Sequence, residues 1–337
     1  MKRRIVDDVV VGVDEHPSSL AALDWATAEA AARGAELRIV HARYCPVPPD
    51  PYGIVVPVDE ICAAREAGER VLRAAVRRVR DIASDVPVSA HLATGIAAQV
   101  LLDWSRDAAL LVVGVAGPEQ RRHRIPRPRL INWASCPVAI IRDRQAPQRA
   151  RTSPRVVLGV DGSGRATPAI HAAFQAAAQR QVPLLVVHAH KPPDPPAYTE
   201  AWSITASGSV ERALQAGRAA FPDVPVTIAI DTVSPVEALS TGAAGAALVV
   251  VGSNLHRGIP ILNCQPISHA LLEHIAAPVL VVPRRAGRRH PSQRPDQVGR
   301  ADVGRADVER ADNATRETPP THRRAKDHHR FSGGPSQ

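Results

Sequence analysis

Aromatic side chains are scarce in this chain, at 3% of 337 residues. Any core it builds is therefore aliphatic, made of Ala, Val and Leu. Cysteine is sparse too. Cys45, Cys62, Cys136 and Cys264 form no C-x-x-C pair, so their spacing points to no zinc site and fits reduced thiols in a cytoplasmic protein. No apolar run approaches the roughly 18 residues that a membrane helix needs. The basic start Met1-Lys2-Arg3-Arg4 runs into Asp7, Asp8 and a short apolar run, which predicts no signal peptide.

What the chain does have is short apolar runs alternating with helical patterns. Val9 to Asp14 reads as a first buried strand ending on an acidic residue. Pro17-Ser18-Ser19 then offers a helix start with a Ser N-cap, and Gly34 a natural helix stop. Leu37 to Ala42 is the next strand. A Pro-rich excursion, Pro46 to Pro57, leads to a helix over 59–84. Further strands follow at Pro87 to Leu92, at Leu110 to Gly114 and at Val138 to Ile141, with a helix over 97–107. Uninterrupted β-branched strands alternating with helices predict a doubly wound parallel sheet with both faces covered.

The second half repeats the first. Gly12-Val13-Asp14 corresponds to Gly159-Val160-Asp161 and His41-Ala42 to His188-Ala189, both at an offset of 147. Gly114 corresponds to Gly252, and Pro137-Val138 to Pro278-Val279. The chain therefore divides into a first α/β domain over 1–142, a linker over 143–154, a second α/β domain over 155–283 and a tail over 284–337. The tail carries 13 Lys+Arg against 7 Asp+Glu, so most of the net charge of +9 lies there. Its five-residue repeat, Val298-Gly299-Arg300-Ala301-Asp302 and onward, matches no helix face, and its composition predicts disorder. With Phe331 alone among aromatics, it offers weak, salt-sensitive attraction to a polyanion and no base stacking.

Two five-stranded units, each with G-V-D after the first strand and V-V-G at the fourth, resemble a tandem universal stress protein over residues 5–142 and 155–283. The resemblance implies two five-stranded parallel sheets in the strand order 3-2-1-4-5, packed against each other as an intramolecular pseudo-dimer. In that order the carboxyl ends of strands one and four form the switch-point crevice where open α/β sheets bind ligands. It also implies ATP as the candidate cofactor. Family members that bind ATP place an acidic residue after the first strand, near the nucleoside. They cradle the phosphates with G-x-x-G, nine further residues, then G-S or G-T. Glycine lets backbone amides approach a phosphate, and a helix N-terminus favours the anion.

Carried over, the nucleotide-binding candidates are Asp14, Gly114 and Gly117 in the first copy and Asp161 and Gly252 in the second. The first copy keeps G-x-x-G but no Gly-Ser follows. Its loop instead carries Arg121, Arg122 and Arg124, with Arg127 and Arg129 beyond. Guanidinium groups can hold phosphate by forked, charge-assisted hydrogen bonds. In the second copy the later motif positions are Leu255, Gln265 and Pro266. A leucine adds bulk where backbone must come close, and a proline removes an amide donor. His188 and His190 alternate on one strand without a carboxylate partner, so no metal site is expected. Nothing resembles a nucleophile or a paired-carboxylate site, which predicts no enzyme. The reading that results is a stress-related regulatory or interaction protein with largely degenerate nucleotide sites. The alternative is an ATP-binding stress module using the first domain.

Overall fold

In the computed structural model the described residues are 8–43, 58–115, 127–142, 154–161, 166–189, 199–253, 271, 274–283 and 301–302. The chain divides into a unit of residues 1–302 and a second of 303–337; the second lies outside the described residues. So do Gly117, Arg121, Arg122, Arg124, His190, Leu255, Gln265 and Pro266, nearly all of the 143–154 linker, and the 284–337 tail apart from Ala301–Asp302.

The first copy runs β1 (Val9–Gly12), α1 (Pro17–Arg33), β2 (Leu37–Arg43), α2 (Val58–Ile82), β3 (Val88–Thr94), α3 (Ala97–Trp104), β4 (Leu110–Val115), α4 (Arg127–Trp133) and β5 (Val138–Arg142). The second runs β6 (Val156–Val160), α5 (Thr167–Arg180), β7 (Leu184–Ala189), α6 (Thr199–Ala220), β8 (Val226–Asp231), α7 (Pro235–Gly242), β9 (Leu248–Gly252) and β10 (Val279–Val282). Each copy is parallel throughout, in the order 3-2-1-4-5. The β4 strand is an unbroken apolar run, Leu110, Leu111, Val112 and Val113, each at most 4% exposed. Only a strand covered on both faces tolerates such a run. Helices α1, α2, α5 and α6 take one face; α3, α4 and α7 take the other.

The two halves join edge to edge in one sheet, through antiparallel pairing of β5 with β10. Val138 pairs with Val281, Ala139 with Leu280 and Ile140 with Val279. Because Val138 corresponds to Val279 in the repeat, this register is symmetric about Ala139 and Leu280. The α3/α4 side carries one apolar core continuous across the join, from Leu111 and Leu130 to Val249, Leu271 and Val281. At the outer edge, β11 (Ala301–Asp302) pairs antiparallel with β3, Ala301 opposite Leu92.

The start of α1 differs from the sequence expectation. The N-cap is His16, not a serine: its ring Nδ1 accepts from the Ser18 backbone N–H at 3.1 Å. Pro17 then takes the first helical position, which suits a residue without an amide proton. Ser19 reaches back instead, its Oγ accepting from the Asp14 N–H at 2.8 Å. The stop is as read: Gly34 sits in the left-handed region at φ 59°. The same position in the second copy is Gln181, held at φ 53° with a side chain that this conformation disfavours.

Candidate functional site

The β1–β4 register pairs Gly12 with Val113, so Asp14, just past the end of β1, stands beside the Gly114–Val115 end of β4 at the switch point. The β6–β9 register does the same for Asp161 and Gly252, with Gly159 opposite Val251. Four of the sequence-derived candidates thus gather in two equivalent crevices, as the strand order requires. Asp14 and Asp161 are both exposed there.

The details show what these residues do. The Asp14 Oδ1 accepts from the His16 N–H at 2.9 Å, an Asx turn that shapes the entry into α1. Gly114 is glycine because α1 sits on it. A Cβ built there would stand 2.6 Å from the Ser18 carbonyl carbon and 2.9 Å from the Ser19 nitrogen, with the Ser18 oxygen closer still. Beyond Gly114 the backbone stays in the sheet, Val115 pairing with Arg142. In the second copy no described atom lies within 4 Å of a Cβ on Gly252. The next amide, Ser253 N–H, donates to the Val282 carbonyl at 2.9 Å.

Each crevice is braced from β2 or β7 by a histidine. His41 Nδ1 lies 2.8 Å from the Val13 carbonyl oxygen, and His188 Nδ1 lies 3.0 Å from that of Val160. A carbonyl only accepts, so each ring carries its proton on Nδ1. These matched histidines pin the residue just before each aspartate, a structural duty that the repeat makes visible twice. Among the described residues, no group of three or more His, Cys, Asp or Glu side chains could hold a metal ion.

A cluster that sequence reasoning missed lies on the opposite half of the sheet, where α1 faces α5 across the β5–β10 join. Glu29, only 4% exposed, accepts at Oε1 from Arg33 Nε at 2.9 Å and Nη2 at 2.6 Å. Its Oε2 accepts from Arg180 Nη2 on the other copy. The Arg180 guanidinium also lies 5.9 Å from the Trp25 ring centroid. Arg33 and Arg180 correspond at the offset of 147, whereas Glu29 and Trp25 correspond to Ala176 and Ala172. That mixture of one matched arginine pair with two unmatched positions was the available signal. The cluster borders a cavity of about 190 Å³.

A doubly wound parallel sheet with helices on both faces and a switch point between its first and fourth strands defines an open α/β architecture, present here in tandem. The sequence profile of the universal stress protein family matches residues 6–142 and 153–283, and the chain belongs to that family. A universal stress protein of Mycobacterium tuberculosis is 30% identical over 301 residues, covering 83% of this chain and 98% of its own. One from Mycolicibacterium smegmatis is 29% identical over 299 residues, covering 81% and 96%. The solved universal stress protein of Archaeoglobus fulgidus DSM 4304 shares the fold, with TM-score 0.62 at 15% identity over 83% of this chain and 99% of that one.

Proposed function

We propose that this universal stress protein is a regulatory or interaction protein that works without nucleotide turnover, its two copies serving as a built-in dimer. The observation that carries the reading is the seat of α1 on Gly114. The glycine retained at the first motif position already has a packing role, so its presence needs no phosphate to account for it. The Asp14 carboxylate likewise shapes its own turn. In the second copy, Leu255 and Pro266 stand where close backbone approach and an amide donor are required. The task this reading gives the scaffold is binding of a protein partner in the cytoplasm.

The second reading rests on the exposure of Asp14 beside Gly114, which leaves the first copy open as an ATP module with Gly117, Arg121, Arg122 and Arg124 completing it. Calorimetric titration with ATP separates the two. The proposal expects no saturable heat up to millimolar ATP. Saturable binding that Asp14→Ala together with Gly117→Val removes would overturn it in favour of the ATP module.

A further inference from the structure

The cavity between α1 and α5 is independent of the strand-end crevices and of the reading built on them. Its floor is apolar: Ala109 and Pro137, with the buried Leu110, Leu248 and Leu280 beneath them. One wall is α1, with Trp25, Glu29 and Arg33. The other is α5, with Ala172, Ala176, Gln175 and Gln179. The broken repeat explains why the space exists. Trp25 and Glu29 fill their side of the join, while their counterparts Ala172 and Ala176 leave the other side empty.

We infer that this cavity binds a small organic monocarboxylate. Charge is the first argument. The cluster holds two guanidinium groups against one carboxylate, so one positive charge is uncompensated within it. Glu29 repels an incoming anion less than its charge suggests, because both of its oxygens already accept from arginine. Arg33 spends Nε and Nη2 on Glu29, which leaves Nη1 outside that pair. The wall amides of Gln175 and Gln179, one helical turn apart at the exposed mouth, add donors without adding charge.

Shape is the second argument. The apolar floor under a polar wall, with the positive charge of Arg180 just behind Glu29, asks for a ligand with a hydrocarbon body and one anionic end. A dry cavity of about 150 Å³ accepts benzene, so a space of about 190 Å³ suits a ring or short chain plus a carboxylate. A phosphate or a dianion would leave the apolar floor of Ala109 and Pro137 uncovered. The carboxylate meets Arg33 and the glutamine amides, while the body lies on Trp25, Ala109 and Pro137. Such a ligand touches both copies at once and so ties its binding to their pairing.

The test is calorimetric titration of the full chain with sodium benzoate at constant ionic strength, with benzamide as the neutral isostere. Wild type should bind benzoate saturably, with a dissociation constant on the order of 1 mM for so small a ligand, and benzamide about tenfold more weakly. Ala176→Leu fills the cavity and should abolish binding. Should that variant fail to fold, Gln175→Trp at the exposed mouth obstructs entry without touching the core and should do the same. Arg33→Gln should bring benzoate down to the affinity of benzamide. No saturable heat with benzoate up to about 50 mM, some fifty times the expected constant, overturns the inference. So does equal binding of benzamide by wild type, or unchanged benzoate binding in the obstructed variants.

Discussion

Replacing Gly114 by alanine tests whether that glycine serves packing or a phosphate. The added Cβ would stand 2.6 Å from the Ser18 carbonyl carbon and 2.9 Å from the Ser19 nitrogen. Both are backbone atoms, so no side-chain rotation relieves them, and the first turn of α1 must move by about 1 Å to restore ordinary contact. That turn is held by the His16 cap and by the Ser19 bond to the Asp14 N–H. Overpacking of this kind costs about 1–3 kcal/mol. Alanine recovers about 0.5 kcal/mol through a less flexible unfolded chain. The net expectation is a loss of about 2 kcal/mol.

Gly252→Ala is the companion variant in the second copy. No described atom lies within 4 Å of its new Cβ, and Arg165, the counterpart of Ser18, lies outside the described residues, so its midpoint reads whether the second copy presses on this glycine as α1 does on Gly114. Urea unfolding followed by circular dichroism reads both, as a change in midpoint at constant slope. A Gly114→Ala midpoint equal to wild type would refute the packing account and return Gly114 to the nucleotide candidates.

The repeat supplies a second experiment at the helix stops. Gln181→Gly should stabilise by about 1 kcal/mol by relieving the left-handed backbone, and Gly34→Ala should cost about as much, both read by thermal melts. Glu29→Ala leaves Arg33 and Arg180 without their shared acceptor. With both arginines about 20% exposed to water, the loss should be about 2 kcal/mol rather than the 3–5 kcal/mol of a fully buried pair, and a double-mutant cycle with Arg180→Ala should show coupling. Burial pushes the Cys136 thiol up from 9.0 to about 12. The unfolded thiol ionises first, so stability is complete below about pH 9 and falls as pH rises towards 12, by about 1.4 kcal/mol per unit. In Cys136→Ala, which copies Ala277 of the second half, that part of the alkaline slope should vanish; an unchanged slope would count against it.

Much of the fold is legible in the sequence because its signals are local. Leu110 to Val113 and Val279 to Val282 are apolar on both faces, which only a covered parallel strand allows. The strand order carried by the resemblance then sets Asp14 beside Gly114 without any side-chain detail. The start of α1 misleads because Ser18 and Ser19 look like caps, while the capping side chain is an imidazole one residue before Pro17. The junction leaves only the faint trace of its broken repeat, for a different reason. Glu29 and Arg33 read as an ordinary i,i+4 pair on a helix, and the third partner, Arg180, lies 151 residues away in sequence. Long-range partners of a charged face leave no periodic trace.

Duplication sorts structural need from divergence within a single chain. What the sheet requires appears twice: His41 and His188 on the carbonyls before the aspartates, and Leu130 and Leu271 in the shared core. Gly34 and Gln181 show the same demand met by two residues of unequal fitness for a left-handed turn. What appears once cannot be a demand of the fold, since the other copy folds without it. The Trp25 and Glu29 pair falls in that class, and the alanines at their positions in the second copy leave the junction cavity open. Gly114 and Gly252 recur as well, and for Gly114 the packing of α1 already accounts for the glycine. A residue that matches the family motif can therefore persist for a packing reason, which the motif alone does not reveal.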